Sequence, residues 1–93
     1  MTDLPSGLTY IDDYTFYRTG LTSIDIPDNV STIGASAFED CSALVEIDLP
    51  DRLVNIGDYA FSYCYSLRSI TLPDRVRNIG VNAFACSYAL EEI

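Results

Sequence analysis

Residues 44–66 read LVEIDLPDRLVNIGDYAFSYCYS, and the blocks on either side follow the same plan: residues 21–43 are LTSIDIPDNVSTIGASAFEDCSA and residues 67–89 are LRSITLPDRVRNIGVNAFACSYA. The three align without gaps at a period of 23. A fourth copy precedes them, because Pro5, Pro27, Pro50 and Pro73 are each followed eleven residues later by Phe16, Phe38, Phe61 and Phe84. A short fixed period marks a solenoid, in which each unit buries its apolar side only against its neighbours. About three repeats are the usual minimum for stability. This chain of 93 residues clears that threshold narrowly.

Counting from the leucine that opens each block, apolar residues recur at position 1 (Leu21, Leu44, Leu67, Leu90), position 4 (Ile24, Ile47, Ile70, Ile93) and position 6 (Leu4, Ile26, Leu49, Leu72). They recur again at position 10 (Leu8, Val30, Leu53, Val76), position 13 (Ile11, Ile33, Ile56, Ile79) and position 18, the phenylalanine. Ile24-Asp25-Ile26 alternates as a half-buried strand does, so one strand per repeat is expected to build a parallel sheet. The proline that follows lacks the N–H to continue the ladder and ends the strand. Positions 10 and 13 predict short extended pieces on the opposite wall, closed at Gly34, Gly57 or Gly80 by a turn with positive φ. Phenylalanine and cysteine three apart, as in residues 58–64, predict a short α or 3₁₀ segment. Small alanine beside phenylalanine leaves room for the rings to stack between repeats. Residues 1–93 thus read as one solenoid, with repeats at 3–20, 21–43, 44–66 and 67–89 and a partial strand at 90–93.

Fourteen acidic residues against five basic ones give a net charge of −9, which makes nucleic acid and anionic membranes poor partners. No apolar run approaches the roughly 20 residues of a membrane span. The opening Met1-Thr2-Asp3-Leu4-Pro5 has neither the basic nor the apolar region of an export signal. Three cysteines are an odd number and make no disulfide framework.

The pattern Leu-x-x-Ile-x-[Ile/Leu]-Pro-x-x-[Val/Leu]-x-x-Ile-Gly-x-x-Ala-Phe-x-x-Cys resembles the BspA-like leucine-rich repeats over residues 4–93. The first block departs most, with Asp12 for the glycine, Thr15 for the alanine, no cysteine after Phe16 and one residue fewer. In the last block Cys86 comes one place early and Ser87 takes the cysteine position. The resemblance implies an α/β repeat fold, a right-handed solenoid with a parallel β-sheet on one face and short extended or helical turns on the other. It further implies a non-enzymatic protein–protein interaction module of the adhesion type, at the cell surface or secreted.

The residues themselves offer little chemistry. Without histidine no base stands ready beside a serine or cysteine, and the glycines form no phosphate loop, so neither catalysis nor a cofactor is expected. Stacked repeats would set Asp25 beside Asp48 at about 4.8 Å, a spacing that suits acid–base work or simply a solvated acidic face. Asp28, Asp51 and Asp74 form a second column open to calcium, but Arg52 and Arg75 follow two of them and turn formation accounts for all three, so no metal site is assigned. Cys41 and Cys64 are expected to pack inward as small hydrophobes, and Cys86 to be more exposed.

The outward strand positions make the best surface. Ser23, Asp25, Glu46, Asp48, Ser69, Thr71 and Glu92 are expected to line one acidic face, suited to a protein or peptide partner of basic character or serving only solubility. Tyr63, Tyr65 and Tyr88 form a candidate aromatic patch, or a shield for the spine. Neither terminal repeat carries a polar outer side. That predicts self-association through the terminal repeats, as dimers or head-to-tail stacks, or else a piece cut from a longer array.

Overall fold

The computed structural model describes residues 7–90. Leu4, Pro5, Glu91, Glu92 and Ile93 lie outside them. Four two-residue strands, β1 (Tyr10–Ile11), β2 (Thr32–Ile33), β3 (Asn55–Ile56) and β4 (Asn78–Ile79), form one parallel sheet in chain order, and each belongs to one coil. Ile11 pairs with Ile33, Ile33 with Ile56 and Ile56 with Ile79. Equivalent contacts are 22 residues apart between the first two coils and 23 thereafter, so the shorter first repeat is accommodated without loss of register. The molecule measures 31 × 29 × 20 Å. Four coils stacked at about 4.8 Å match the shortest dimension, which is therefore the solenoid axis.

The sheet lies on the wall where only short extended pieces are expected. On the wall of Ile24-Asp25-Ile26, where the sheet is predicted, pairing among the described residues is confined to an isolated parallel bridge of Asp25 with Asp48 and to the hydrogen bonds that Val45 N–H gives Thr22 O and Arg68 N–H gives Val45 O. Proline explains the difference. Pro27, Pro50 and Pro73 withhold a donor just beyond the bridge, and their carbonyls instead accept from Val30, Leu53 and Val76 in tight turns. On the other wall no proline intervenes. There Ser31 N–H donates to Thr9 O and Gly34 N–H to Ile11 O, both at 2.8 Å, and each later coil repeats the pair.

The third side of each coil is a chain of turns and not the predicted helical segment. Tyr14, Arg18, Ser36, Asp40, Tyr59, Tyr63, Asn82 and Cys86 all have φ between 55° and 63°. They occupy positions 16 and 20 of every repeat. A left-handed residue at the third place of a turn is what type II geometry requires, and along this segment every second N–H is given to the next coil. Thus Tyr14, Phe16 and Arg18 donate to Ala35, Ala37 and Glu39 at 3.0, 2.8 and 2.9 Å, while Thr15 and Tyr17 close turns onto Asp12 and Tyr14. A helix would use all these donors within its own turn. Each left-handed residue costs roughly 1–2 kcal/mol, and inter-coil hydrogen bonds of about 1 kcal/mol each offset much of that.

No described glycine has positive φ, so the recurring glycine is not a turn former. It is there because backbones touch. A Cβ on Gly57 would sit 2.6 Å from Ala35 N and 2.7 Å from the Gly34 carbonyl carbon, and one on Gly34 would sit 2.6 Å from Asp13 N. Ala37, Ala60 and Ala83 are buried beside the phenylalanines, which stack as predicted with ring centroids 5.2, 5.2 and 5.5 Å apart and planes within 13°. Leu44, Leu53, Leu67, Val30, Ile33 and Ile56 fill the remaining interior. Ile79 is the exception among the predicted core positions, 48 % exposed, because no coil among the described residues covers β4.

Candidate functional site

Ser23, Asp25, Glu46, Asp48, Ser69 and Thr71 are all exposed on one wall, as the alternation requires, and Glu92 lies outside the described residues. The wall is held from within by Ile24, Ile47 and Ile70, each nearly inaccessible, whose neighbours must then face outward. Asp25 and Asp48 are bridge partners on adjacent coils. Glu46, Asp48, Ser69 and Thr71 meet along a surface groove of about 220 Å³ that Asp51 and Pro73 complete. Asp51 is the member that its sequence position hid: it follows the proline and forms a turn, yet it lines the groove. A second groove, about 480 Å³, joins it and is lined by Asp28, Asn29, Pro50 and Arg52. Asp28, Asp51 and Asp74 all occupy turns. Among the described residues no group of three or more histidine, cysteine, aspartate or glutamate side chains is placed to hold a metal ion.

Tyr63, Tyr65 and Tyr88 do come together. Tyr65 lies 6.0 Å from Tyr63 edge to face and 6.1 Å from Tyr88 in a stacked arrangement. Tyr88 is 78 % exposed, so the strip is surface and not a seal over the phenylalanine spine. Cys86 lies among them, half-buried, and the charge of its thiolate is the main cause that pushes the Tyr63 phenol above its ordinary range. In the first coil Tyr14 and Tyr17 meet edge to face at 5.5 Å, and in the column that also holds Tyr63 and Cys86, Arg18 pairs with Asp40 at 3.4 Å on the open surface, a contact of small energetic weight.

The inward cysteines pack as predicted and also donate. Cys41 Sγ gives its hydrogen to Phe16 O at 3.1 Å and Cys64 Sγ to Phe38 O at 3.2 Å, and Ser87 Oγ does the same to Phe61 O at 2.6 Å. The serine at the cysteine position thus keeps the inter-coil bond. Burial raises both thiols, and Cys64 is pushed from 9.0 up to about 12. Both are protonated and unreactive at neutral pH. Between pH 9 and about 12 the unfolded chain releases the Cys64 proton while the folded chain retains it, so rising pH favours unfolding. Stability is expected to hold up to about pH 9 and then fall by about 1.4 kcal/mol per pH unit from this thiol. Urea unfolding across that range checks it: Cys64→Ser, which keeps a donor, should lose this part of the alkaline slope, and an unchanged slope would contradict the assignment.

Residues 2–93 match the family described as the BspA type leucine rich repeat region (6 copies). Among solved structures, a leucine-rich repeat protein from Bacteroides capillosus is similar at 36 % identity and a TM-score of 0.84, over 90 % of this chain. The match spans only 60 % of that protein's chain. A leucine-rich repeat protein from Bacteroides ovatus is similar at 22 % identity and a TM-score of 0.44, over 95 % of this chain and 40 % of its own. No curated protein matches.

Proposed function

Because this chain belongs to the BspA type leucine-rich repeat family, we propose that it is a non-enzymatic protein-binding module whose acidic wall receives a basic protein or peptide. The observation that carries this is the groove in which Glu46, Asp48 and Asp51 converge with Ser69 and Thr71, on a chain of net charge −9. Opposed charge there orients a partner and speeds its approach more than it adds affinity. The tyrosine strip of Tyr63, Tyr65 and Tyr88 supplies a second contact area, with large rigid rings and polar tips. An adhesive role at the cell surface is the setting that family membership supports.

An immobilised oligoarginine peptide tests the wall. Asp25→Ala combined with Asp48→Ala is expected to weaken binding about tenfold, two exposed charge pairs at roughly 0.7 kcal/mol each. Added salt should weaken the wild type more than the double variant. Equal affinity of the two proteins at every ionic strength would rule the wall out.

A second reading, pairing of two copies, is favoured by the 48 % exposure of Ile79, whose equivalents Ile33 and Ile56 are buried. Sedimentation over a range of concentrations separates it from binding, which needs a second species.

A further inference from the structure

The acidic wall has a basic border. Beyond each proline the chain makes the same tight turn: Leu53 N–H closes Pro50-Asp51-Arg52-Leu53 onto Pro50 O, and Val76 N–H closes Pro73-Asp74-Arg75-Val76 onto Pro73 O, both at 3.1 Å. Arg52 and Arg75 therefore leave the surface from the same place of identical turns on neighbouring coils, about 4.8 Å apart along the axis. Both are exposed. So is Asn29, their counterpart on the second coil, and Arg52 itself lies between the second and fourth coils. The exposure is thus a property of the side wall, which stacked coils leave open.

The two arginines are also unneutralised. Arg52 lines the larger groove together with Asp28 and Asp51, yet the ion pair of Arg18 with Asp40 is the only one among the described residues. Two guanidinium groups at this spacing repel each other, and a carboxylate placed between them accepts from both planar forks. The larger groove shares Leu49 and Asp51 with the one where Glu46 and Asp48 converge, so the acidic floor and Arg52 open on one continuous surface. The chain from Asp48 to Arg52 spans at most about 14 Å, a distance that about four extended residues of a ligand cross. Resting on the reading that the wall takes a basic segment, we propose that Arg52 and Arg75 set the charge order of the partner. It is an extended peptide segment whose basic residues lie over Glu46, Asp48 and Asp51 and whose aspartate or glutamate side chain, a few residues along, is held by the two arginines.

The sign of the effect separates this from general electrostatics. On a chain of net charge −9 the overall field repels a ligand carboxylate, so a preference for one requires a local basic site. Two peptides, both acetylated and amidated, are titrated against the full chain by calorimetry: one has three arginines, three glycines and two glutamates, and the other has glutamines in place of the glutamates. The wild type is expected to bind the glutamate peptide about fivefold more tightly. Arg52→Gln combined with Arg75→Gln should reverse that order, weakening the glutamate peptide and not the glutamine peptide. Asp25→Ala combined with Asp48→Ala should weaken both peptides alike and keep their ratio. A glutamine peptide with a free terminal carboxylate should not match the glutamate peptide. If neither peptide binds, the acidic wall itself fails as a site and the charge order falls with it. The wall stands and the charge order alone is overturned if both peptides bind without preference for glutamate, if the preference survives loss of the two arginines, or if a terminal carboxylate serves equally well.

Discussion

Gly57→Ala is expected to cost about 3 kcal/mol or more, since overpacking against atoms that cannot move lies at the upper end of its range. The added Cβ would lie 2.6 to 2.9 Å from Ala35 N, the Gly34 carbonyl carbon and Ala35 Cα, all of them backbone. The third coil cannot lift away to relieve this, because Gly57 N–H donates to Ile33 O at 2.8 Å in the β2–β3 ladder itself. A chain of this size has a total stability of about 5–10 kcal/mol, so the substitution removes a large fraction of it. The urea midpoint measures the loss. Gly20→Ala is the control: nothing lies within 4 Å of its Cβ and its φ is not positive, so it should be neutral or stabilise by up to about 1 kcal/mol. Equal midpoints for the two variants would refute the close-approach account of the column.

Phe61→Ala is expected to destabilise by about 3–5 kcal/mol, the range for truncating a fully buried aromatic ring. Phe61 has no exposed surface and lies between Phe38 and Phe84 at 5.2 and 5.5 Å, so its removal opens a void bounded by two rings that the coil spacing holds apart. Phe16→Ala should cost clearly less, because that ring stacks on Phe38 alone among the described residues and is already partly exposed. Calorimetric or urea unfolding gives both numbers. A Phe61→Ala loss no larger than that of Phe16→Ala would mean that the rings do not act as a continuous spine.

Much of the interior was legible because burial in a solenoid follows register. Leu44, Leu53, Leu67, Val30, Ile33, Phe38, Phe61, Cys41 and Cys64 are buried where the repeat places them. The exposed wall was legible for the same reason, since Ile24, Ile47 and Ile70 leave their neighbours only the outward direction. What could not be read were the features set by the coil next door. The spacing of Phe61 and Cys64 fits a helical turn equally well, and only competition for N–H groups between turn and neighbour produces the left-handed residues at Tyr59 and Tyr63. Those residues are tyrosines, which gives no hint of positive φ. Asp51 sits in the turn that its place after proline predicts, but its place in the groove depends on Ser69 and Thr71 of the following coil.

The same division runs through the glycine. Its recurrence every 23 residues is plain in the sequence, and so is its replacement by Asp12, yet the turn with positive φ that a recurring glycine predicts does not form at the described glycines. Period, register, the phenylalanine spine and the acidic wall follow from the sequence alone, because each is a property of one repeat copied along the chain. Which wall carries the sheet and why glycine is required were decided only in the tertiary structure, because each depends on the distance and hydrogen-bond demand between neighbouring backbones, which no single repeat contains.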